Sequence, residues 1–345
     1  MINKKISVLM SFLNAEKYLE DSISSILRQN YTNFEFIILN DGSTDKSDEI
    51  LNKFKDSRII KLTNSTNMGV AYSFNKMIMY AKGEYIAFMD ADDVSLKSRL
   101  SDQLKYLLDN NIDMCGASAE QFGDIRNKHL KTFEKLKDIK TIMIIGNPII
   151  NSTVMIKANV LKKFECNTKL ISWDYDLHSK IILNNYKVYN LNKVLLKSRN
   201  HRHQDSTVNY DRGIRDSYQI SINYFLAQKD ILQYKKYLDS SKFGYKKKID
   251  IISYYKTLLA FNKILIIKNN NCEILNILNT NLILKLYPIN IFLFFRLIRI
   301  FKKFKIKIHK KQVILLLIRS IFLIKPGSKK LNKLIKVYYL FRKFR

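Results

Sequence analysis

The chain is 345 residues long, which is enough for one large domain or two smaller ones. Its three cysteines, Cys115, Cys166 and Cys272, have no metal-ligand spacing and are odd in number, so they exclude a disulfide framework and fit a reducing compartment. The formal net charge of +30 is unevenly placed, because residues 1–206 hold 30 Lys and Arg against 24 Asp and Glu, whereas residues 207–345 hold 30 against 6. The front of the chain is therefore nearly balanced, and the back is strongly basic.

Short apolar segments alternate with helical patterns along the front of the chain. The predicted strands cover residues 6–10, 34–39, 58–62 and 85–89, and the predicted helices cover residues 16–29, 46–55, 69–81 and 96–110. This βαβαβαβα order predicts an α/β fold with a mostly parallel sheet and helices on both faces. Since a strand follows the first five residues directly, we expect no secretory signal.

The alternation of strand and helix patterns stops near residue 206. Before that point we predict strands over residues 112–122, 153–157 and 194–199, and helices over residues 132–145, 158–164 and 174–185. Beyond it the pattern is helical, basic and aromatic. We therefore place a domain boundary between residues 1–206 and a largely helical extension, residues 207–345.

The extension contains two apolar blocks, residues 289–300 and 313–324. Each is shorter than the roughly 20 residues that a membrane span needs, each contains Arg, and a lysine-rich run separates them. This pattern predicts helices that lie on an anionic membrane surface, and the alternative is a buried helical hairpin with solvated basic faces. A basic region also suits nucleic acid, but no recognition motif accompanies it, so no nucleic-acid partner is expected.

The most informative segment is YIAFMDADD, residues 85–93, in which an apolar run ends in Asp90, Asp92 and Asp93. Carboxylates at the carboxyl end of a buried strand lie where open α/β sheets bind ligands, and a divalent cation relieves their mutual repulsion. The alternative is a solvated acidic turn. The chain has no G-x-G-x-x-G after its first strand and no G-x-x-x-x-G-K-[ST]. A phosphate-bearing ligand is therefore expected to depend on metal and side chains.

Several segments of residues 6–206 carry a resemblance to a known family. They read ISVLMSFLNAEKYLEDSISSIL, FEFIILNDGSTDKS, NMGVAYSFNKMIMYAKGEYIAFMDADD, VSLKSRLSDQLKYLLDNNIDMCGA, WDYDLHSKIILNN and LLKSRNHRHQDS. In this order they resemble family 2 glycosyltransferases, which have the GT-A fold, and their wording is nearest to bacterial enzymes that build surface polysaccharides. Residues 207–345 lie outside the resemblance.

The resemblance implies a nucleotide site at the ends of the first two strands. Ser11, Leu13 and Asn14 match positions that contact the donor nucleotide, and Asp41 matches an acid that accepts hydrogen bonds from uracil or ribose. The family often has two acids here, but Asn40 precedes Asp41, and Leu13 replaces a common aromatic residue. Asp41 also suits a helix N-cap.

For the acidic motif, the resemblance implies that Asp92 faces the ribose and that Asp92, Asp93 and His201 hold Mn²⁺ or Mg²⁺. Such a cation bridges the diphosphate and neutralises the charge that develops when it leaves. Asp90 is expected to be structural or to support the ligands.

On the acceptor side, the family has an acid followed by its general base, and this chain reads Trp173-Asp174-Tyr175-Asp176. An inverting transfer needs a carboxylate that takes the proton of the acceptor hydroxyl. Asp174 matches that base, and Asp176 is the alternative. Trp173 replaces the preceding acid, and its ring suits stacking on a sugar face.

The closing loop of the family, R-x-H-x-x-Q-x-S, matches Arg199, His201, Gln204 and Ser206. Arg199 is expected to bind diphosphate with two hydrogen bonds, and His203 takes the place of His201 if the register shifts. The alternative is a basic loop on the solvent face. Arg99, one helical turn past the acidic motif, either supports its carboxylates or pairs on the surface.

Together these residues imply a metal-dependent, inverting glycosyltransferase that uses a nucleotide-sugar donor, with UDP as the expected nucleotide, and transfers a hexosyl or N-acetylhexosaminyl group. The implied acceptor is a glycan or a lipid-linked glycan at the cytoplasmic face of the plasma membrane, where the enzyme is expected to be peripheral. Two alternatives remain open. The loss of an acid at Trp173 and at Asn40 suits an inactive partner subunit, and the charge suits a nucleic-acid-binding protein.

Overall fold

A computed structural model of the chain describes residues 3–124, 128–130, 132–144, 146–202 and 204–227. Within these ranges nine strands form one mixed sheet in the order β3-β2-β1-β4-β8-β6-β9-β5, and β7 pairs with β6. The strands are β1 (Ile6–Phe12), β2 (Phe34–Asn40), β3 (Ile59–Thr63), β4 (Tyr85–Phe88), β5 (Val94–Ser95), β6 (Met114–Gly123), β7 (Lys128–Leu130), β8 (Met155–Lys157) and β9 (Val188–Asn200). The helices are α1 (Leu19–Leu27), α2 (Ser47–Lys53), α3 (Val70–Tyr80), α4 (Arg99–Asp109), α5 (Leu136–Ile142), α6 (Ala158–Leu161), α7 (Trp173–Leu183), α8 (Asp205–Val208), α9 (Tyr210–Leu226) and the 3₁₀ helix Asn151–Thr153.

The first half of the sheet is parallel. β1 lies between β2 and β4 and pairs in parallel with both, and β3 adds to β2 in the same direction. Every residue of β2 and β4 is buried, which explains why these strands read as continuous apolar runs rather than as alternating patterns. Because the strands are parallel, the carboxyl ends of β1, β2 and β4 lie at one edge of the sheet.

The second half of the sheet reverses direction and returns to that edge. β8 pairs antiparallel with both β4 and β6, while β9 runs parallel to β6 along most of its length. The two-residue strand β5 pairs antiparallel with β9. The end of β9 is thereby brought next to the loop that follows β4, where the backbone N–H of Arg199 donates to the carboxylate of Asp93.

The predicted α/β class with a mostly parallel sheet is confirmed, with corrections at several boundaries. The first helix begins at Leu19 rather than at residue 16, because the preceding loop is tied to the turn after β2 through Asn14. β9 begins at Val188 rather than at residue 194, and the helix predicted over residues 132–145 is α5, Leu136–Ile142. β5 and β7 were not predicted, because strands of two and three residues are too short to show a pattern.

The compact first unit extends beyond residue 206, as far as Ala227. Helix α9 is held against the start of α7, where Ile171 N–H donates to Asp216 Oδ2 at 2.7 Å and Ser172 Oγ donates to the carbonyl of Gly213 at 3.0 Å. Helix α9 is therefore part of the first unit. The predicted domain boundary at residue 206 remains a prediction. In the described part of the chain, no helix is both long and apolar enough to cross a membrane. The apolar blocks 289–300 and 313–324 lie outside the described residues.

Candidate active site

The carboxylate of Asp41, directly after β2, holds the loop that leads into α3. Its Oδ1 accepts hydrogen bonds from Asn64 Nδ2 at 2.8 Å and Met68 N–H at 2.9 Å, and its Oδ2 accepts one from Gly69 N–H at 2.9 Å. Gly69 is the N-cap residue of α3, so Asp41 fixes the loop before α3 and does not cap α2. Asp41 is buried, and its contact with a nucleotide remains a prediction.

The turn after β2 and the loop after β1 are joined at the same edge. Asn14 has a φ of 51°, in the left-handed region that Asn tolerates, and its Oδ1 accepts from Thr44 N–H at 2.8 Å. Asn40 accepts from Ser43 N–H at 2.9 Å through its side-chain oxygen, so it shapes the turn. Leu13 stays 41% exposed beside this joint.

The fold therefore brings Ser11, Leu13 and Asn14 next to Asp41, because Asp41 N–H donates to the carbonyl of Phe12 at 2.9 Å. These are the positions that the sequence assigned to the donor nucleotide. Their nucleotide contacts remain predictions.

Asp93, in the loop after β4, is engaged on both carboxylate oxygens. Oδ2 accepts from Ser152 Oγ at 2.6 Å, and Oδ1 accepts from the backbone N–H of Arg199 at 2.8 Å. The side chain is 2% exposed, and burial, with a smaller effect of Asp92, raises the pKa of Asp93 to about 7. These two hydrogen bonds tie the loop after β4 to the 3₁₀ helix and to the end of β9, and the role of Asp93 as a metal ligand remains a prediction.

Asp92, one residue earlier, faces the end of β9 instead. His201 Nε2 lies 2.9 Å from Asp92 Oδ2, and Gln204 Nε2 lies 3.3 Å from the same oxygen. Gln204 also donates to the carbonyl of Arg199 at 2.5 Å, which fixes the loop after β9. Asp92 and His201 thus form a hydrogen-bonded pair, and their role as metal ligands remains a prediction. In the described residues, no group of three His, Cys, Asp or Glu side chains converges as a metal site.

Arg199 and Tyr18 hold this pair in place. The Arg199 guanidinium carbon lies 4.6 Å above the Tyr18 ring and 4.5 Å above the Phe122 ring, and the Tyr18 ring lies 4.7 Å from the ring of His201. Nε of Arg199 donates to the carbonyl of Asp92 at 2.8 Å, and Nη2 contacts Asp21 Oδ2 at 3.0 Å. Since these nitrogens have protein partners, the role of Arg199 toward diphosphate remains a prediction.

Asp90 is the acid that links the two sides of the site. Burial raises the pKa of its carboxyl well above the ordinary value, and the charges of Asp93, Asp92 and Asp174 act in the same direction, while Ser152 acts against them. The interaction with Asp174 joins the loop after β4 to the start of α7. The carboxyl groups of Asp90 and Asp174, from two distant parts of the chain, are therefore close enough to affect each other electrostatically.

Asp174 lies in the first turn of α7 and interacts with the loop after α5. Its Oδ2 accepts from Asn147 Nδ2 at 2.9 Å. Burial raises the pKa of Asp174, while backbone N–H of Tyr175 and the Asn147 amide act in the opposite direction. A carboxylate with a raised pKa is suited to taking a proton near neutral pH.

Asp176 has a different partner, since Lys180 Nζ lies 2.6 Å from its Oδ2, one helical turn along α7. A cation thus occupies this oxygen of Asp176, whereas Asp174 accepts from a neutral amide, so the geometry favours Asp174. The base assignment itself remains a prediction.

Two expectations are corrected by burial. Trp173 is 6% exposed and its ring centroid lies 4.9 Å from that of Phe74, so it belongs to an aromatic core and not to a sugar-stacking surface. Arg99 is fully buried and donates to the carbonyl of Phe88 at 2.6 Å, which excludes the surface pairing. Arg99 thus supports the strand end that carries the acidic motif.

Two further residues belong to the closing loop. His203 lies outside the described residues, and Ser206 lies in α8. Their roles remain predictions.

Three residues of the site were missed from the sequence: Tyr18, Asn147 and Ser152. Ser152 is 59 residues from Asp93, and Asn147 is 27 residues from Asp174. Their contacts depend on the tertiary fold, and no local pattern marks them.

Comparisons with known proteins agree with this architecture. The family model described as Glycosyl transferase family 2 matches residues 7–165. An uncharacterized glycosyltransferase of Methanocaldococcus jannaschii is 39% identical over 204 residues, which are 56% of this chain and 70% of the relative. The chain belongs to glycosyl transferase family 2. It is accordingly a glycosyltransferase enzyme.

A second relative is the UDP-Glc:alpha-D-GlcNAc-diphosphoundecaprenol beta-1,3-glucosyltransferase WfgD of Escherichia coli. It is 40% identical over 107 residues, covering 31% of this chain and 42% of that protein. The match covers less than half of the length of WfgD.

Two solved structures share the fold. S. aureus TarS 1–349 in complex with UDP-GlcNAc has a TM-score of 0.58 at 16% identity, with 91% of this chain and 90% of that chain covered. The mannosyltransferase PcManGT from Pyrobaculum calidifontis, in complex with GDP-Man and Mn²⁺, has a TM-score of 0.53 at 15% identity, with 77% and 75% covered. The predicted GT-A fold of this family 2 enzyme is confirmed.

Proposed function

We propose that this glycosyltransferase moves a sugar from a UDP-activated donor to a lipid-linked glycan, with a divalent cation at Asp92 and His201 and with Asp174 as the general base. The observation that carries the proposal is the 2.9 Å approach of His201 Nε2 to Asp92 Oδ2 at the ligand-binding edge of the sheet. Asp174 supplies the general base. It interacts electrostatically with Asp90, which lies in the same loop as Asp92.

The Asp92–His201 pair fits Mn²⁺ or Mg²⁺. A carboxylate oxygen and an imidazole nitrogen are ligand types that Mn²⁺ takes, and these two atoms lie 2.9 Å apart as a hydrogen-bonded pair that would hold the cation in place of their shared proton. Two protein ligands also suit such ions, which usually take one or two side chains together with substrate phosphates and water. When bound, the cation supplies positive charge that stabilises the leaving nucleoside diphosphate.

The ligand set expected from the sequence also includes Asp93, and the proposal gives Asp93 a further role, because it accepts hydrogen bonds from Ser152 and from the backbone of Arg199. Under the proposal, Asp93 fixes the loop after β4 against the end of β9. That contact keeps Asp92 in front of His201.

Asp174 performs the proton transfer. Its carboxylate takes the proton of the acceptor hydroxyl while the hydroxyl oxygen forms a bond to the anomeric carbon of the donor sugar. The bond from that carbon to the diphosphate oxygen breaks, and the nucleoside diphosphate leaves with the bonding electron pair. Attack from the side opposite the leaving group inverts the anomeric configuration.

The choice of UDP and of a lipid-linked acceptor is supported by the relatives rather than by a contact. WfgD is named for UDP-Glc and a diphosphoundecaprenol-linked acceptor, and TarS was solved with UDP-GlcNAc, whereas PcManGT was solved with GDP-Man. A hexosyl or N-acetylhexosaminyl donor is consistent with these names. A membrane-bound acceptor also gives a reason for the strongly basic residues 207–345.

A ligand screen tests the proposed chemistry. The full chain is mixed with UDP-, GDP- and TDP-sugars, with Mn²⁺ or with chelator, and both thermal stabilisation and release of the nucleoside diphosphate are measured. We expect a UDP-sugar to stabilise the protein and to be turned over in the presence of Mn²⁺ but not in chelator. Equal stabilisation in chelator contradicts the cation site, and turnover of GDP-sugars alone contradicts the choice of UDP.

Membrane attachment is tested separately with vesicles. The full chain is expected to co-sediment with anionic vesicles at low salt, to be released in part by high salt, and to ignore neutral vesicles, since each cation near the surface contributes about 1 kcal/mol. A chain that ends before residue 287 is expected to bind more weakly while it still binds UDP. Failure of the full chain to sediment at low salt contradicts the peripheral location.

A further inference from the structure

Asn147 lies between two residues that α7 presents on one face. Asp174 and His178 are four residues apart and therefore neighbours along the helix surface. Asn147, in the loop after α5, contacts both, since its Nδ2 donates to Asp174 Oδ2 at 2.9 Å and its amide lies 3.1–3.2 Å from His178 Nδ1. The proposed base is thus one end of a short chain of polar groups.

The amide of Asn147 is oriented by an independent contact. Its Oδ1 accepts the backbone N–H of Ile149 at 3.2 Å, which leaves the NH₂ group directed at Asp174. The flipped amide places an oxygen against a carboxylate oxygen and leaves Ile149 N–H facing a donor. Both contacts therefore select the same orientation.

His178 reinforces this orientation. The side chain is fully buried, and burial lowers the pKa of His178 to about 3, so the imidazole is neutral. Its Nε2 is buried without a hydrogen-bond partner. Because an orphaned buried N–H is rarer than an unpaired acceptor, the proton belongs on Nδ1. Nδ1–H then donates to Asn147 Oδ1 at 3.2 Å.

We propose that Asn147, held by His178, is a positioning residue that fixes the carboxylate of Asp174 for proton transfer. The inference rests on the proposed role of Asp174 as general base. Nδ2–H of Asn147 holds one oxygen of Asp174, so the carboxylate has one defined rotation about its side chain. A neutral amide does this without the strong loss of basicity that a cationic partner causes.

The other charged and titratable groups around Asp174 do not supply this contact. Asp90 interacts with it as a like charge, and the buried thiol of Cys166 interacts with it electrostatically. Asp176, on the same helix, is turned to Lys180. Among the described residues, Asn147 is the side chain that donates to the Asp174 carboxylate.

The test separates the donor function of Asn147 from its structural contacts. Asn147→Asp retains an oxygen that accepts from Ile149 N–H and from His178 Nδ1–H. It replaces the donor that faces Asp174 with a second oxygen, and it adds a negative charge. Asn147→Ser is the second variant, which removes both contacts, and Asn184→Asp is the control. Asn184 is at the C-terminal end of α7, where its amide donates to the carbonyl of Lys180 at 2.9 Å. The control therefore adds the same charge at the other end of α7, away from Asp174.

We measure kcat, donor KM and the thermal shift by UDP with Mn²⁺ in the full-length protein. Asn147→Asp is expected to lower kcat about 10- to 100-fold, the size of a lost hydrogen bond to a charged group, with donor KM and thermal shift within twofold of wild type. If the new carboxyl group shares a proton with Asp174, Asp174 can no longer take a proton from the acceptor. The kcat of Asn147→Asp is therefore expected to fall whether the new carboxyl group is charged or protonated. Asn184→Asp is expected to keep kcat within twofold.

Two results overturn the inference. If Asn147→Asp has the wild-type kcat while Asn147→Ser does not, Asn147 is a structural residue and the positioning role is wrong. If Asn147→Asp lowers the UDP thermal shift as strongly as it lowers kcat, the residue acts through the donor site. A separate Asp174→Asn variant distinguishes the two levels, because wild-type turnover in that variant contradicts the proposed function itself.

Discussion

The site is built from two acidic clusters, and in each cluster neighbouring carboxylates have different partners. After β4, Asp93 is bonded through both oxygens to Ser152 and to the backbone of Arg199, while Asp92 faces His201. The pair Asp92 and His201 points to the edge of the sheet where ligands bind. One acid therefore fixes the loop, and its neighbour is the one that we propose as a cation ligand.

At the start of α7 the same division recurs. Asp176 pairs with Lys180 at 2.6 Å, while Asp174 accepts a hydrogen bond from the neutral amide of Asn147. The comparison teaches that adjacent carboxylates are distinguished by the partners of their oxygens. Under the proposed function, the consequences are cation-dependent donor binding after β4 and proton transfer at α7.

The largest effect is expected at the base. Asp174→Asn removes the proton acceptor with little change of volume, so the transfer rate should fall on the order of 10²–10⁴-fold while UDP binding is retained. Steady-state transfer and a UDP thermal shift measure the two quantities. Asp176→Asn is the matched control and should lose far less activity. A normal rate in Asp174→Asn, with loss in Asp176→Asn, moves the base to Asp176.

Trp173 tests whether the acceptor side has an aromatic platform or an aromatic core. Because its ring packs against Phe74 and Phe88, Trp173→Ala should lower the free energy of unfolding by about 3–5 kcal/mol. Denaturant unfolding of the full chain measures this loss, and Trp173→Phe should recover part of it. Unchanged stability together with a raised acceptor KM contradicts the core assignment.

The two acids after β4 should differ in a binding assay. UDP at 100 times its dissociation constant stabilises a protein by about 2.7 kcal/mol, and Asp92→Asn should abolish this gain in the presence of Mn²⁺. Asp93→Asn should keep a Mn²⁺-dependent UDP shift but start from a less stable protein, because its hydrogen bonds are disturbed. The opposite pattern returns the metal to Asp93.

His178 predicts a pH effect on stability. The pKa of the folded imidazole is about 3 and that of the unfolded one is about 6.5, so its contribution is present above pH 6.5 and is lost as the pH falls toward 3. The loss is at most about 1.4 kcal/mol per pH unit. His178→Asn should therefore show a shallower acid decline in unfolding midpoint than wild type, measured in chelator. Parallel pH curves contradict a neutral, buried His178.

The sequence predicted the elements that have a strong local pattern. The strands β1, β2 and β4 are buried on both faces and read as apolar runs, and Asp41 and Asp92 follow such runs directly. Their position at one edge of the sheet follows from the parallel order. This is why the fold class and the donor edge were predictable.

The partners of the side chains were not predictable in the same way. Asp92 and Asp93 are adjacent, yet which one faces His201 depends on how β9 returns to β4, more than 100 residues later in the chain. Trp173 is at a position that suits sugar stacking, but its burial depends on Phe74 of α3. These contacts are long-range, and a local pattern carries no information about them.

The most direct test of the account is to locate the cation. Crystals grown with UDP and Mn²⁺ give an anomalous difference map that shows where manganese binds. The account predicts one peak within coordination distance of both Asp92 and His201, with the hydrogen bond between Ser152 and Asp93 intact. A peak coordinated by Asp93, with that hydrogen bond broken, contradicts the division of roles between the two acids.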